Sequence, residues 1–244
     1  MKHVETIELM SFHYRLFHTL NLVLFLTLAF TGVLIMYTDD YTFLQILVKP
    51  LGEPLASLQG LDPEIYAVST SLALMRLIHR LIAVIWGVVI IFYILFLLVT
   101  RNIRVFDGLL RSPSVVLEEA KAVLLHYTIG KPIPEEVEVK MERHNVMVGM
   151  AVILLIIGAG LLMISGTLMV FSGYLGITSD QYRVLLMLHD IGFYLSMLFL
   201  VGHLFAVLHP SNLPLLVAMF GDGRVSIEYA KKHMHAYLKK IKAI

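Results

Sequence analysis

The chain has 244 residues, 58% of them hydrophobic and only 15% charged, with a mean hydropathy of +0.82 and a formal net charge of +1. This is the composition of a membrane protein, so the soluble-protein rule of one domain per ~150 residues does not apply. Cysteine is absent, which excludes disulfides, cysteine-anchored cofactors and thiol catalysis.

Glu5 and Glu8 precede the first apolar run, and no small-residue cleavage site follows it. That run is therefore expected to be a retained span and not a signal peptide. Four runs are long enough to cross a bilayer, at about 17–37, 72–99, 146–171 and 184–208. The expected fold is an all-α integral membrane protein. It is a single domain over 1–244, built as a bundle of four transmembrane helices. Residues 43–48 are too short to span and read as an interfacial turn. In the middle loop Ser112 is a candidate N-cap, Pro113 suits a first helical position, and Glu118 and Glu119 follow. Val116, Ala120, Val123, Leu124 and Tyr127 recur on one face before Gly130 and Pro132. This predicts an amphipathic helix over about 113–128 on the membrane surface. A basic helix is expected over about 226–240, and no internal repeat is evident.

Charge sets the orientation. Fifteen Lys and Arg fall in 1–16, 100–143 and 211–244, against four elsewhere: Lys49, Arg76, Arg80 and Arg183. The positive-inside rule then places both termini and the middle loop on the cytoplasmic side of the inner membrane.

The histidines follow a pattern. His189 and His203 stand fourteen residues apart in the last span. They share one face and lie roughly 21 Å apart along the axis. Given the orientation above, His79 and His189 lie near the outer surface, and His18 and His203 near the inner one. A lone buried histidine is usually a hydrogen-bonded core residue. Four intramembrane histidines at two matched depths point instead to ligation, because ionisable groups in lipid are costly. Two per level, with no cysteine and no carboxylate at that depth, leave a tetrahedral zinc site incomplete. A haem needs only two axial nitrogens. With both positions filled it suits electron transfer and not oxygen chemistry. Rival inner ligands are His13, His144 and His209, whereas His126, His233 and His235 fall in soluble segments and are expected to be solvated. Gly32, Gly158, Gly160, Gly166 and Gly192 would let a flat macrocycle approach backbone, or serve plain helix packing. Arg76, Arg80 and Arg183 stand where outer propionates would emerge, and Arg15 and Arg143 likewise inside; each also suits snorkelling. A reading of a different class is a small transporter or proton channel with a histidine relay and no haem.

Several pieces together resemble a known family. His18 is followed fourteen residues on by Gly32 of a Thr31-Gly32 pair, and His79 stands in Leu77-Ile78-His79-Arg80. His189-x13-His203 follows, and the tail reads Ala230-Lys231-Lys232-His233-Met234-His235. Over nearly its whole length the chain resembles the di-haem cytochrome b (gamma) subunit of respiratory formate dehydrogenases. The related b-type cytochrome subunits of membrane-bound nickel–iron hydrogenases share the pattern. The resemblance implies two b haems, with His79 and His189 on the outer iron and His18 and His203 on the inner. It implies a quinone site beside the inner haem around Asn145, a residue that equally suits a helix N-cap. Met147 and Val148 stand where the family has Gly and Gln, which leaves room for menaquinone or another lipid-soluble carrier such as methanophenazine. The implied partners are an iron–sulfur electron-transfer subunit docked outside, a catalytic subunit, membrane lipid and quinone. No nucleic acid is expected. Electrons would enter at the outer haem and reduce quinone at the inner one with cytoplasmic protons.

Overall fold

The computed structural model describes residues 5–100 and 104–241; Lys2, Arg101 and Lys242, counted above for orientation, lie outside the described residues. The chain is almost entirely helical. In order it forms β1 (Thr6–Glu8), α1 (Phe12–Tyr37), α2 (Thr42–Leu58), α3 (Pro63–Thr100), α4 (Pro113–Ile129), α5 (Glu135–Glu138), α6 (Val146–Val170), α7 (Ser179–Val207), α8 (Leu213–Phe220), β2 (Arg224–Ser226), α9 (Ile227–His233) and α10 (His235–Lys240). Four of these, α1, α3, α6 and α7, are long and apolar enough to cross a membrane. A helix satisfies its own backbone polar groups, which lipid cannot do. The chain divides into two compact units, Leu16–Phe96 and the remainder.

The first unit is a helical hairpin with a brace. α1 and α3 run antiparallel: Phe17 packs on Tyr93 (4.8 Å between ring centroids), and Trp86 Nε1 donates to Asn21 Oδ1 (3.0 Å). Farther along, Thr31 meets His79. The brace is α2, which occupies the segment read from sequence as a turn. Pro50 and Pro54 lie inside it, and interior prolines normally break a helix. Packing overrides them. Leu44, Val48, Gly52 and Ala56, spaced four apart, are all buried. Ser71 Oγ donates to Val48 O (2.6 Å), and any Cβ on Gly52 would run into Ala67 O of α3. α3 therefore begins well before the apolar run at 72.

The second unit contains the α6–α7 hairpin. α7 starts with a capping box, Thr178 and Gln181 each accepting from the other's backbone N–H. The two helices touch through small residues. A Cβ on Gly192 would lie 2.9 Å from Gly158 O, and one on Gly158 would lie 2.6 Å from Ser196 Oγ. Gly158 and Gly192 thus serve helix packing and not a macrocycle.

A polar layer covers the end of this hairpin where α6 begins and α7 ends. β1 pairs antiparallel with β2, Ile7 opposite Val225. Leu9 N–H and Met10 N–H both reach Gly223 O (2.9 and 3.1 Å). Gly223 has φ +83°, and a Cβ there would strike Met10 O, so only glycine fits. Leu9, Ala218, Val225, Ala230, Met234 and Leu238 form the buried cluster beneath. Glu119 of α4 is buried and accepts from Val146 N–H (2.8 Å) and from Arg111 (2.7 Å). Ser112 occupies the N-cap of α4 without a capping hydrogen bond, and Gly130 closes that helix at φ +71°. The C-terminal segment is not one helix over 226–240. Arg224–Ser226 is strand, and the helix breaks at Met234, whose backbone turns to φ −153°. The break lets Met234 and Leu238 both enter the cluster while Ala236 N–H bonds Met141 O (3.1 Å).

Candidate functional site

The same small device occurs once in each unit. In the first, Thr31 Oγ1 lies 2.8 Å from His79 Nδ1 and 2.8 Å from Thr27 O, four residues back on its own helix. In the second, Ser165 Oγ lies 3.0 Å from His189 Nδ1 and 2.5 Å from Leu161 O. A hydroxyl has one proton, and a backbone carbonyl can only accept. Each hydroxyl therefore donates to its i−4 carbonyl and accepts from the imidazole. Both histidines are thereby fixed with the proton on Nδ1 and the lone pair on Nε2. That is the form in which a metal-ligating histidine presents its nitrogen.

A glycine follows each hydroxyl. A Cβ on Gly166 would lie 3.2 Å from His189 Cε1, a tight contact, and one on Gly32 would lie 3.6 Å from His79 Cε1, an ordinary one. Thr31-Gly32 thus cradles His79, whereas the sequence pattern tied the pair only to His18. Ser165 was missed as a site residue. Its signal was present as a second hydroxyl–glycine pair, Ser165-Gly166, near the end of span 3.

The second histidine of each unit lies at a matching distance. His79 is level with Thr31, and His18 is thirteen residues earlier on α1, or about 20 Å along the axis. His189 and His203 on α7 are fourteen residues apart, or about 21 Å. His18 is half-buried, next to Phe17, which packs on Tyr93. His203 is half-buried and stacks on Phe199 (5.4 Å, 15° between planes).

The rival histidines have other settings. His13 is exposed and lies edge-on to Phe12. His209 caps a short turn, with Nδ1 accepting from Ser211 N–H, and its ring lies 4.9 Å from Tyr127 and 5.2 Å from His126. His144 Nδ1 is buried without a hydrogen-bond partner among the described residues. Burial, and secondly Arg143, push it down to about 4, while Asp107 opposes them. His126 and His233 are not simply solvated. His126 bonds Lys131 O (3.0 Å), and His233 stacks on Tyr229 at 4.3 Å. Burial pushes Tyr229 upward and His233 downward.

Asn145 is the N-cap of α6, with Oδ1 accepting from Val148 N–H (3.0 Å). Arg143 donates to Leu9 O and Arg15 to Gly221 O, so both tie the polar layer together instead of waiting for a propionate. Arg76 and Arg80 are exposed, and Arg183 pairs with Asp180 at 3.5 Å. Asp190 directly follows His189, which corrects the expectation of no carboxylate at that depth. One residue on a helix turns the side chain by about 100°, so Asp190 leaves from a different face. Among the described residues of either unit, no three or more His, Asp or Glu side chains gather as a metal cluster. Two histidines stand on the membrane-spanning helices of each hairpin, His18 and His79 in one and His189 and His203 in the other, and imidazole nitrogen is a donor that fits haem iron.

Over residues 9–222 the chain matches the family described as prokaryotic cytochrome b561. No curated protein matches it.

Proposed function

The chain belongs to the prokaryotic cytochrome b561 family, integral membrane cytochromes that bind haem b, and from that premise we propose that it is the di-haem anchor subunit of a respiratory oxidoreductase complex. It carries electrons between an extracytoplasmic iron–sulfur subunit and a membrane quinone. The observation that supports this most is the matched pair of histidines in each hairpin, about 20 Å apart, with the outer one locked as an Nδ1–H tautomer. A one-electron iron couple at each level is what bound haem would supply.

His79 and His189 would hold the outer group, and His18 and His203 the inner. Thr31 and Ser165 keep the outer imidazoles from rotating. On the inner side, Asn145 would use its Nδ2 hydrogens on a quinone carbonyl while Oδ1 holds the helix cap. The carrier is menaquinone or a comparable lipid-soluble molecule. The iron–sulfur and catalytic subunits supply the electrons, and the primary substrate, formate or hydrogen, reacts on them and not on this chain. Both termini and the polar layer lie on the cytoplasmic face of the inner membrane in this reading, which the distribution of Lys and Arg supports.

A reduced-minus-oxidised optical spectrum of the purified chain, with haem and protein both quantified, tests the reading. Two b haems per chain are expected. A ratio near one or zero would end it, and a chain without haem would revive the transporter or proton channel.

A further inference from the structure

We propose that Thr31 and Ser165 are positioning residues that set the reduction potential of the outer haem, and that they do so as a matched pair. The inference rests on the di-haem reading above and adds to it the role of two hydroxyls.

The geometry is the same at both places. Each oxygen sits on a transmembrane helix with its proton committed to the i−4 carbonyl: Thr31 to Thr27 O at 2.8 Å, Ser165 to Leu161 O at 2.5 Å. Thr31 and Ser165 are themselves buried. Neither hydroxyl can therefore rotate its hydrogen toward the ring. Each is held as an acceptor facing Nδ1 of the histidine on the neighbouring helix, at 2.8 and 3.0 Å.

An imidazole that donates Nδ1–H becomes a more basic ligand through Nε2. A more basic axial ligand stabilises ferric over ferrous iron and lowers the potential. The strength of the acceptor sets the size of this effect. A carboxylate would draw the proton strongly and push the ligand toward imidazolate. A hydroxyl is neutral and gives a modest donation. Each imidazole would then receive such a push from the hydroxyl of its own hairpin, with Leu162 O as a further backbone partner for His189. The bond back by four residues is common in these helices, as at Thr38, Thr70 and Ser196, and what sets Thr31 and Ser165 apart is the histidine Nδ1 each faces and the glycine beside it. Both sit beside a glycine, both are bonded back by four residues, and both face a histidine Nδ1.

The test is a redox titration of the purified full-length protein with its haems, resolving the two components optically. The inner component is identified as the one that remains in His189→Ala. Thr31→Val is close to isosteric and removes the acceptor together with the hydroxyl's own bond to Thr27 O; Ser165→Ala does the same on the other hairpin. Each should raise the outer potential and leave the inner one in place. The expected change is about tenfold in the ferric-to-ferrous ratio at fixed potential, or about 59 mV for a one-electron couple. The double variant should shift further in the same direction, and Thr31→Ser should return the wild-type value. If Thr31→Val does not assemble, Thr31→Cys, a weaker acceptor, should give a smaller upward shift. An outer potential that ignores both substitutions, or that shifts equally with the inner one, would overturn the positioning role. That result would leave the di-haem reading standing, whereas a wild-type chain without haem would remove the reading itself.

Discussion

The two hairpins carry the same device but are held together by different means. α6 and α7 meet backbone to backbone through Gly158, Gly192 and Ser196. α1 and α3 meet through larger side chains, with Phe17 on Tyr93 and Trp86 bonded to Asn21, and with α2 as a brace. Small-residue contacts in lipid have no hydrophobic drive and depend on close approach. Contacts between larger groups can adjust by rotamer. The α6–α7 hairpin should therefore be the brittle one, and its histidine the less tolerant.

The largest expected break follows directly. Gly192→Val would place methyl groups against Gly158 O, where even a Cβ lies at 2.9 Å. Forced overpacking costs about 1–3 kcal/mol. Thermal unfolding in detergent should show a clear loss, and haem bound through His189 should fall with it. Trp86→Phe in the other hairpin removes one hydrogen bond to Asn21, about 0.5–1.5 kcal/mol. Equal tolerance of the two changes would refute the contrast.

A finer version sits at the cradles. Gly166→Ala puts a methyl 3.2 Å from His189 Cε1, while Gly32→Ala puts one 3.6 Å from His79 Cε1. The first should disturb the imidazole and alter the outer haem's spectrum. The second should leave that spectrum nearly unchanged. A reversed order would show that the rings are constrained by something other than these glycines.

Much of the membrane part was legible because length and apolar character alone specify a span, and the fourteen-residue spacing of His189 and His203 needs only helix geometry. The cradles were half legible. Thr31-Gly32 stood out through its spacing from His18, but its partner is His79, forty-eight residues on. A serine within an apolar run reads first as packing, so the Ser165-Gly166 pair was passed over although it matches Thr31-Gly32. α2 was hidden by Pro50 and Pro54, whose local preference is overridden by burial against α3. β1 and β2 were hidden by distance in sequence, since Thr6 pairs with Ser226 and neither segment signals a strand alone.

The polar layer, which belongs to the second unit only, offers a pH test. His144 is held down to about 4 from 6.5 by burial first and Arg143 second. Between those values the unfolded chain takes up a proton that the folded chain refuses. Stability is therefore intact above about pH 6.5 and declines as pH falls toward 4. His144→Gln should flatten this decline in thermal unfolding measured across that window. An unchanged slope would assign the acid sensitivity to other groups.

A smaller effect is expected at Asn145. Asn145→Ala loses the N-cap of α6, at about 1 kcal/mol. With both haems retained, it should also slow quinone reduction. Normal quinone turnover in that variant would move the carrier site elsewhere, toward His144 and Arg143.

The central claim is that each hairpin supplies one ligand at each of two levels, and haem content in paired substitutions tests it most directly. His79→Ala and His189→Ala should each leave one haem per chain. Their double variant should still leave one, because both remove the same outer group. His79→Ala combined with His203→Ala should leave none. A His79→Ala/His189→Ala double variant without haem would contradict the account, since the two histidines would then serve different haems.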